Sequence, residues 1–365
     1  MTNIINNIPS IGSYATPYEL RVLAANCLRL AGMRDDESAV MAELLVFAQE
    51  SEINSHGLVH LPAYISGITS GALNPRPTFH FHKSNYSSIA VLDADQSPGV
   101  LAGKVAADEA VRRATQTGVG VIAVHNSSHF GAASAFIDRI VSHDMVALVL
   151  SNASPTVAPR GSRTPMLGTN PIAAGFPCAD GPPVIIDMAT TAGARGAIRK
   201  AAANNETIPI HWALDKNGHP TTDANAALKG TMQSLGGAKG TGLGLMVELL
   251  CVALSGGATG MDTLAPQNPS DTPRAISHTF IAIDTKAVGG VELVAKKVAK
   301  IVNNIEISCP IRNDDPPRVP GTRSANCRII ARTKGILITE NLAAALTLAA
   351  ENALKICSSH KKKKA

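Results

Sequence analysis

Four short runs rich in β-branched residues, Ile89 to Leu92, Val119 to Val124, Val146 to Leu150 and Val184 to Ile186, recur between glycines and prolines. Runs of that length and composition read as strands. One good helical pattern, about Gly99 to Thr117, separates the first two and is stopped by Gly118. The sequence therefore predicts an α/β sheet domain from residue 76 to about 309. The chain ahead of it is helical. Thr16-Pro17-Tyr18-Glu19 has capping-box spacing with a first-turn proline, and Leu20, Leu23, Cys27 and Leu30 follow at helical spacing. A second helix starts near Asp35, with Val40, Leu44, Phe47 and Ala48 inward, and ends around Glu52. Gly71, Pro75 and Pro77 mark a boundary near residue 75. Further on come a helix from Thr241 to Ser255, a strand from Thr279 to Ile283 and an amphipathic helix from Val291 to Val302. Beyond a turn-rich seam, Asn313 to Pro320, a strand at Ile336 to Ile338 and a helix capped by Thr339 pack back on the first lobe. The expected organisation is 1–75, 76–309 and 310–365, the last ending in a lysine run.

At 365 residues the chain has material for two lobes or one elaborated domain. Its formal charge is +5, but Lys361, Lys362, Lys363 and Lys364 supply four of those positives. Without them the balance is 29 positive against 28 negative, so no basic face for a phosphate backbone is implied. Aromatics are 3% of residues, with a single Trp212, too few for base-stacking platforms. No nucleic-acid partner is expected, and the lysine run reads as a solvated end. Six scattered cysteines without a C-x-x-C pair point to reduced thiols and the cytoplasm. The longest apolar stretch, Gly242 to Ala258, is interrupted by Glu248 and glycines and reads as a buried helix rather than a membrane span.

Two features bear on chemistry before any comparison. Ser55-His56-Gly57 sets a hydroxyl beside an imidazole, whose pKa near neutrality suits proton transfer, with a glycine giving a ligand room. Gly236-Gly237-x-Lys239-Gly240-x-Gly242-x-Gly244 fits neither the G-x-G-x-x-G dinucleotide turn nor a P-loop. It is either a close-packing helix start or a set of backbone N–H groups with Lys239 facing a phosphate. The pairs His56/His60, His125/His129 and His80/His82 have ligand-like spacing but no third ligand, so no metal is expected. His80, His82, His143, His211, His219, His278 and His360 read as surface or turn histidines.

Taken in order, Ser55-His56-Gly57, Tyr64, Asn126-Ser127-Ser128-His129-Phe130, Gly168-Thr169-Asn170-Pro171, Asp187-Met188-Ala189-Thr190, Gly218-x-Pro220-Thr221-Thr222-Asp223, Gly236-Gly237-x-Lys239-Gly240 and Pro320-Gly321 resemble the malate/L-lactate dehydrogenase family of NAD(P)-dependent oxidoreductases. The resemblance runs from about residue 17 to 355. It implies a non-Rossmann dinucleotide-binding sheet with a helical lobe built from both chain ends, a homodimer, and NADP or NAD as cofactor. It implies His56 as proton donor with Ser55 in relay. Substrate would meet position 60, Tyr64, Thr169, Arg195 and Gly196. Cofactor would meet His129, Phe130, Gly131, Ala132, Ala133, Asp187, Met188, Ala189, Lys239, Pro320, Gly321 and Arg323. The substrate implied is a small 2-imino or 2-oxo carboxylate, of the kind used by Δ1-piperideine-2-carboxylate/Δ1-pyrroline-2-carboxylate reductases. A 2-hydroxyacid dehydrogenase of the malate, L-lactate or ureidoglycolate type, or a degenerate dinucleotide binder with weak catalysis, is the alternative.

The chain departs from that pattern in three places. The family's carboxylate-gripping arginine is His60 here, and imidazole cannot make a two-pronged fork. The aspartate that completes the relay in the imino-acid branch is Ala197, and Thr322 replaces an acid after the Pro-Gly turn. Arg195, the one arginine in a pocket motif, is the expected substitute for the lost clamp.

Overall fold

The computed structural model describes residues 4–263, 273–312 and 314–362, with side-chain burial given to residue 357. Asn313 and the end of the lysine run lie outside the described residues.

A short strand, β1 (Tyr14–Ala15), leads into α1 (Pro17–Leu30). The predicted capping box is present: Thr16 Oγ1 accepts from the Glu19 N–H at 3.2 Å, and Glu19 Oε2 accepts from the Thr16 N–H at 2.8 Å. In α2 (Asp35–Glu50) the inward face differs from expectation. Met41, Ala42, Leu45 and Val46 are buried, whereas Val40, Leu44 and Phe47 are only half-buried. Leu44 packs on the seam between the helical and sheet cores, and the Phe47 ring faces the Arg328 guanidinium at 4.8 Å. α3 (Leu61–Ser70), which propensity did not reveal, starts with Pro62 in its first turn and stops at Gly71.

The sheet elements follow as β2 (His80–Phe81), β3 (Ile89–Asp93), α4 (Gly99–Thr117), β4 (Val119–Ser127), α5 (Ala133–Val141), β5 (Met145–Ser151), β6 (Ile172–Phe176) and β7 (Val184–Met188). Next come α6 (Arg195–Ala203), β8 (Ala213–Leu214), α7 (Ala224–Lys229), β9 (Thr231–Met232) and α8 (Ala238–Ser255). The chain closes with β10 (Ile276–Asp284), α9 (Val291–Glu306), α10 (Thr322–Lys334), β11 (Ile336–Leu337) and α11 (Glu340–Lys362).

The main sheet has seven strands in the order β2-β3-β4-β10-β5-β6-β7. Only β3 and β4 are parallel, joined across α4, and every other pairing is antiparallel. A Rossmann sheet needs successive parallel strands. This one places β10, last of its strands in sequence, between β4 and β5, so the fold is α/β but non-Rossmann. Ala102, Ala106, Ala107, Ala110 and Ala114 form a smooth buried face that lets α4 sit close on the sheet. Phe136 and Phe280 are fully buried in the same core, each contributing roughly 1.5–3 kcal/mol.

A second core joins the two chain ends. Leu20 and Leu28 of α1, Met41 and Leu45 of α2 and Ile65 of α3 pack with Ile338, Leu342, Leu346 and Ala350 from the C-terminal segment. The β1–β11 pair fixes that return, with Ala15 opposite Ile336. A third, smaller core gathers Val157, Leu167, Ile198, Ile208 and Met232 around half-buried Trp212.

Candidate active site

The turn after α2 carries Asn54–His56 as one helical turn, and a second turn, Leu58–His60, feeds α3. This brings His56, His60 and Tyr64 to one side of the helical lobe, facing the loop after β4. There His129 lies with its ring centroid 4.7 Å from His60 and 5.6 Å from His56, stacked on the latter. Ser55 Oγ is 2.8 Å from His56 Nδ1, so Nε2 is the nitrogen left to face a ligand. The Tyr64 hydroxyl is 2.8 Å from His129 Nδ1 and donates to the His129 carbonyl at 3.2 Å. His60 Nε2 is tied to the Ser55 carbonyl at 2.6 Å.

Burial dominates the electrostatics. It lowers the pKa of His56, while the Asp187 carboxylate pulls in the opposite direction. Burial lowers that of His60 and takes His129 well below the usual histidine range, and it raises the Tyr64 phenol. Burial thus disfavours the charged form of all three rings, and at His56 the Asp187 carboxylate opposes it.

The segments expected to meet a dinucleotide converge on β7. Asp187 Oδ2 accepts from the Ser134 N–H at 2.8 Å, tying the His129–Ala133 loop and the start of α5 to the strand. Gly321, at φ 96, approaches so closely that a Cβ there would lie 2.8 Å from the Ile185 nitrogen; this is the reason position 321 needs glycine. Thr190 donates through N–H and hydroxyl to the Thr169 carbonyl at 3.0 and 3.1 Å, and the Leu235 N–H donates to the Thr190 carbonyl at 2.9 Å. Thus Thr169, Asp187–Thr190 and the Gly236-Gly237 turn form one continuous ledge.

The glycine run resolves into two parts. α8 opens at Ala238, not at Thr241 as expected, so Gly240, Gly242 and Gly244 lie within it. Gly240 packs so tightly on Leu235 that a Cβ would sit 2.0 Å from its carbonyl oxygen. Gly236, Gly237 and Lys239 are exposed. Beside them is a cavity of about 320 Å³ lined by Arg160, Ser162, His211, Gly236, Gly237 and Thr241. Cationic and hydroxyl side chains at the start of an 18-residue helix suit phosphate, so the described residues fit a dinucleotide laid along the ledge.

Other expected residues stand apart. Gly196 is exposed with open space where a Cβ would be, and Ala197 offers no acceptor. Arg195 is half-buried with its Nε lacking a partner, but no described contact joins it to His56. Met188 is exposed on the ledge and Pro320 is exposed beside Gly321, whereas Arg323 turns to Glu52 at 3.6 Å. His125 and His129 do not share a helix face: His125 Nε2 meets His82 Nε2 at 3.3 Å, on the far side from Tyr64's partner. Among the described residues no group of three or more His, Cys, Asp or Glu is arranged to hold a metal.

The chain matches the malate/L-lactate dehydrogenase family over residues 16–347. It belongs to that family. It is 34% identical over 291 residues to malate/(S)-sulfolactate dehydrogenase of Methanothermus fervidus, covering 80% of this chain and 85% of that one. It is 32% identical over 328 residues to Δ1-pyrroline-2-carboxylate reductase of Ancylobacter novellus, covering 90% and 95%. The solved sulfolactate dehydrogenase of Methanocaldococcus jannaschii superposes with a TM-score of 0.86 at 31% identity, covering 93% of this chain and 97% of that one. The chain is thus an oxidoreductase with the malate/L-lactate dehydrogenase fold.

Three features of the structure escaped the sequence. His278 is fully buried on β10, not at the surface or in a turn as expected; Ser151 Oγ holds its Nδ1 at 2.8 Å and Ser127 Oγ its Nε2 at 2.9 Å. Its ring stacks on Phe130 at 4.7 Å and 4°, fixing the loop that carries His129. Glu248 is the second: its carboxylate accepts from Asn170 Nδ2 at 2.9 Å, Asn152 Nδ2 at 3.2 Å and the Gly260 N–H at 2.7 Å, anchoring the turn after Thr169. The third is the outer face of α8. The helix was expected to be buried, yet only a third of it is, and Leu245, Met246 and Leu249 are exposed. By length and composition it is the one described helix able to cross a membrane, but the buried Glu248 ties it into the protein core.

Proposed function

We propose that this chain reduces small 2-imino or 2-oxo carboxylic acids with NADPH or NADH, with His56 as the proton donor. The observation that carries the reading is the Ser55–His56 pair at 2.8 Å, set against His129 and under the influence of Asp187, the residue that also ties the cofactor ledge together. The dinucleotide, when bound, supplies the hydride. The chain's own residues do the rest.

As the substrate carbon is reduced, negative charge or basicity builds on its oxygen or nitrogen. His56, protonated, delivers a proton there from Nε2, which is worth about 10²–10⁴ in rate. The Ser55 hydroxyl accepts from Nδ1 and holds the ring in place. Burial makes the imidazolium a readier acid, and the Asp187 carboxylate offsets part of that effect by favouring the charged ring. His129 and Tyr64 brace one wall, and Thr169, held to the ledge through its carbonyl, contacts the substrate. Arg195, with its unpartnered Nε, contributes to binding acids on the α6 side. The 2-hydroxyacid dehydrogenase reading is favoured by one observation, the alanine at position 197, because the acid of the imino-acid branch is missing.

A second copy of the chain covers the apolar outer face of α8, giving a homodimer, and six unpaired cysteines suit the cytoplasm. The test of function is NAD(P)H oxidation with Δ1-piperideine-2-carboxylate, pyruvate, oxaloacetate and glyoxylate, run beside the His60→Arg/Ala197→Asp double variant. Turnover of an imino or oxo acid by the unmodified chain is expected. Activity in the double variant alone would mean a degenerate member that keeps only the cofactor site.

A further inference from the structure

We infer that Arg274 holds the substrate carboxylate, the task that position 60 of this chain does not perform. The inference rests on the proposed reduction of a 2-imino or 2-oxo acid. Any such acid carries a carboxylate one bond from the reacting carbon, so its anchor must open on the same pocket as His56. His60 is a poor anchor: its Nε2 is already committed to the Ser55 carbonyl at 2.6 Å, and burial disfavours its charged form.

Topology brings Arg274 to this place. Ile276, two residues beyond it, is in register with Ser127 at the end of β4, and His129 lies two residues beyond Ser127. Arg274 therefore enters β10 beside the His129 loop. Ala275 between them is held at φ 51, a left-handed conformation that alanine rarely adopts and that sets the direction in which Arg274 leaves the strand. The side chain is half-buried, and its charge is felt by Tyr64, His60 and His129, in keeping with the position the register gives it. Among the described residues no carboxylate acts on it in return; the one group that favours its charge is the Tyr64 phenol. A partly desolvated guanidinium beside these rings, with no carboxylate partner among the described residues, is poised for an anionic ligand, and its planar fork matches a carboxylate. Arg199, also felt by His60, is exposed on α6 and is the weaker candidate.

The test compares Arg274→Ala, Arg274→Gln and Arg274→Lys with Arg195→Ala, using pyruvate and its uncharged analogue pyruvamide as probes. The expected result is a KM for pyruvate raised about 10- to 100-fold in the Ala and Gln variants. Their preference for pyruvate over pyruvamide should collapse, and NAD(P)H binding by fluorescence should not change. Millimolar guanidinium should restore part of the Ala variant's rate, and Lys should retain part of it. An unchanged KM and an unchanged preference in both Ala and Gln would overturn the inference, as would the same loss in Arg195→Ala alone. If the unmodified chain binds NAD(P)H but turns over neither pyruvate nor Δ1-piperideine-2-carboxylate, the functional reading itself has failed and the inference falls with it. Arg274→Gln keeps the size of the side chain, so thermal unfolding of that variant separates lost binding from lost folding.

Discussion

His56 sits between two opposed influences, and their balance sets the pH at which the chain works. Burial favours the neutral ring and Asp187 favours the charged one. Reduction uses the charged form, so kcat/KM should be high at low pH and fall as pH rises through the His56 pKa. Asp187→Asn removes the favourable charge and should move that fall to lower pH, with weaker activity at pH 7. A pH–rate profile that does not move would show that Asp187 does not act on His56. His278 is a different case. Its pKa is pushed down to about 3 by burial, because its ring lies fully inside the sheet between two serines. The unfolded chain binds that proton near pH 6.5, so the folded state is favoured in full above 6.5 and loses the contribution as pH falls towards 3. The full gap is on the order of 5 kcal/mol. His278→Gln keeps a hydrogen-bonding side chain without titrating, so its urea midpoint should fall less steeply than the parent's between pH 6.5 and 4.

At the scale of elements, α8 does two jobs through opposite faces. Its inner face carries Gly240 and Gly244 for close approach and Glu248 as the anchor for the Asn170 turn. Glu248→Ala would leave the Gly260 N–H without its acceptor and the Asn170 and Asn152 amides with only the Gly244 and Ala258 carbonyls, costing about 3 kcal/mol. The measured outcome should be a lower Tm together with a raised substrate KM, since Thr169 precedes the released turn; a lower Tm with unchanged KM would separate the anchor from the site. The same element shows what sequence can disclose. α1 and α4 were legible because local signals mark their ends: a capping box at Thr16, a glycine stop at 118. β6 was not, since Ile172-Ala-Ala-Gly-Phe176 has no β-branched run; its Gly175 is there to admit Ile137 of α5. Ser55, His56 and Tyr64 were legible because they lie within ten residues and share one motif. His278 was misread because its partners, Ser127 and Ser151, come from the two strands that flank β10, a juxtaposition only the strand order creates. Arg274 was invisible for the same reason.

At the scale of the whole molecule, the helical lobe built from both chain ends supplies Ser55, His56 and Tyr64, and the sheet supplies His129 and Asp187. The site depends on the β1–β11 clasp and on the core that joins α1, α2 and α11. Leu245, Met246 and Leu249 are exposed on the outer face of α8, the face proposed to meet a second copy. If the proposed dimer forms there, the parent should sediment as a dimer and Leu249→Glu, which places a charge on that face, as a monomer; a parent that already sediments as a monomer would remove the dimer from the account. Chemistry is tested more directly by isotope. With NAD(P)H deuterated at the transferring C4 position and pyruvate or Δ1-piperideine-2-carboxylate as acceptor, mass spectrometry should find one deuterium on the product's α-carbon. His56→Ala should slow its appearance by about 10²-fold or more while NAD(P)H still binds. Unlabelled product, or full rate in His56→Ala, would contradict the account.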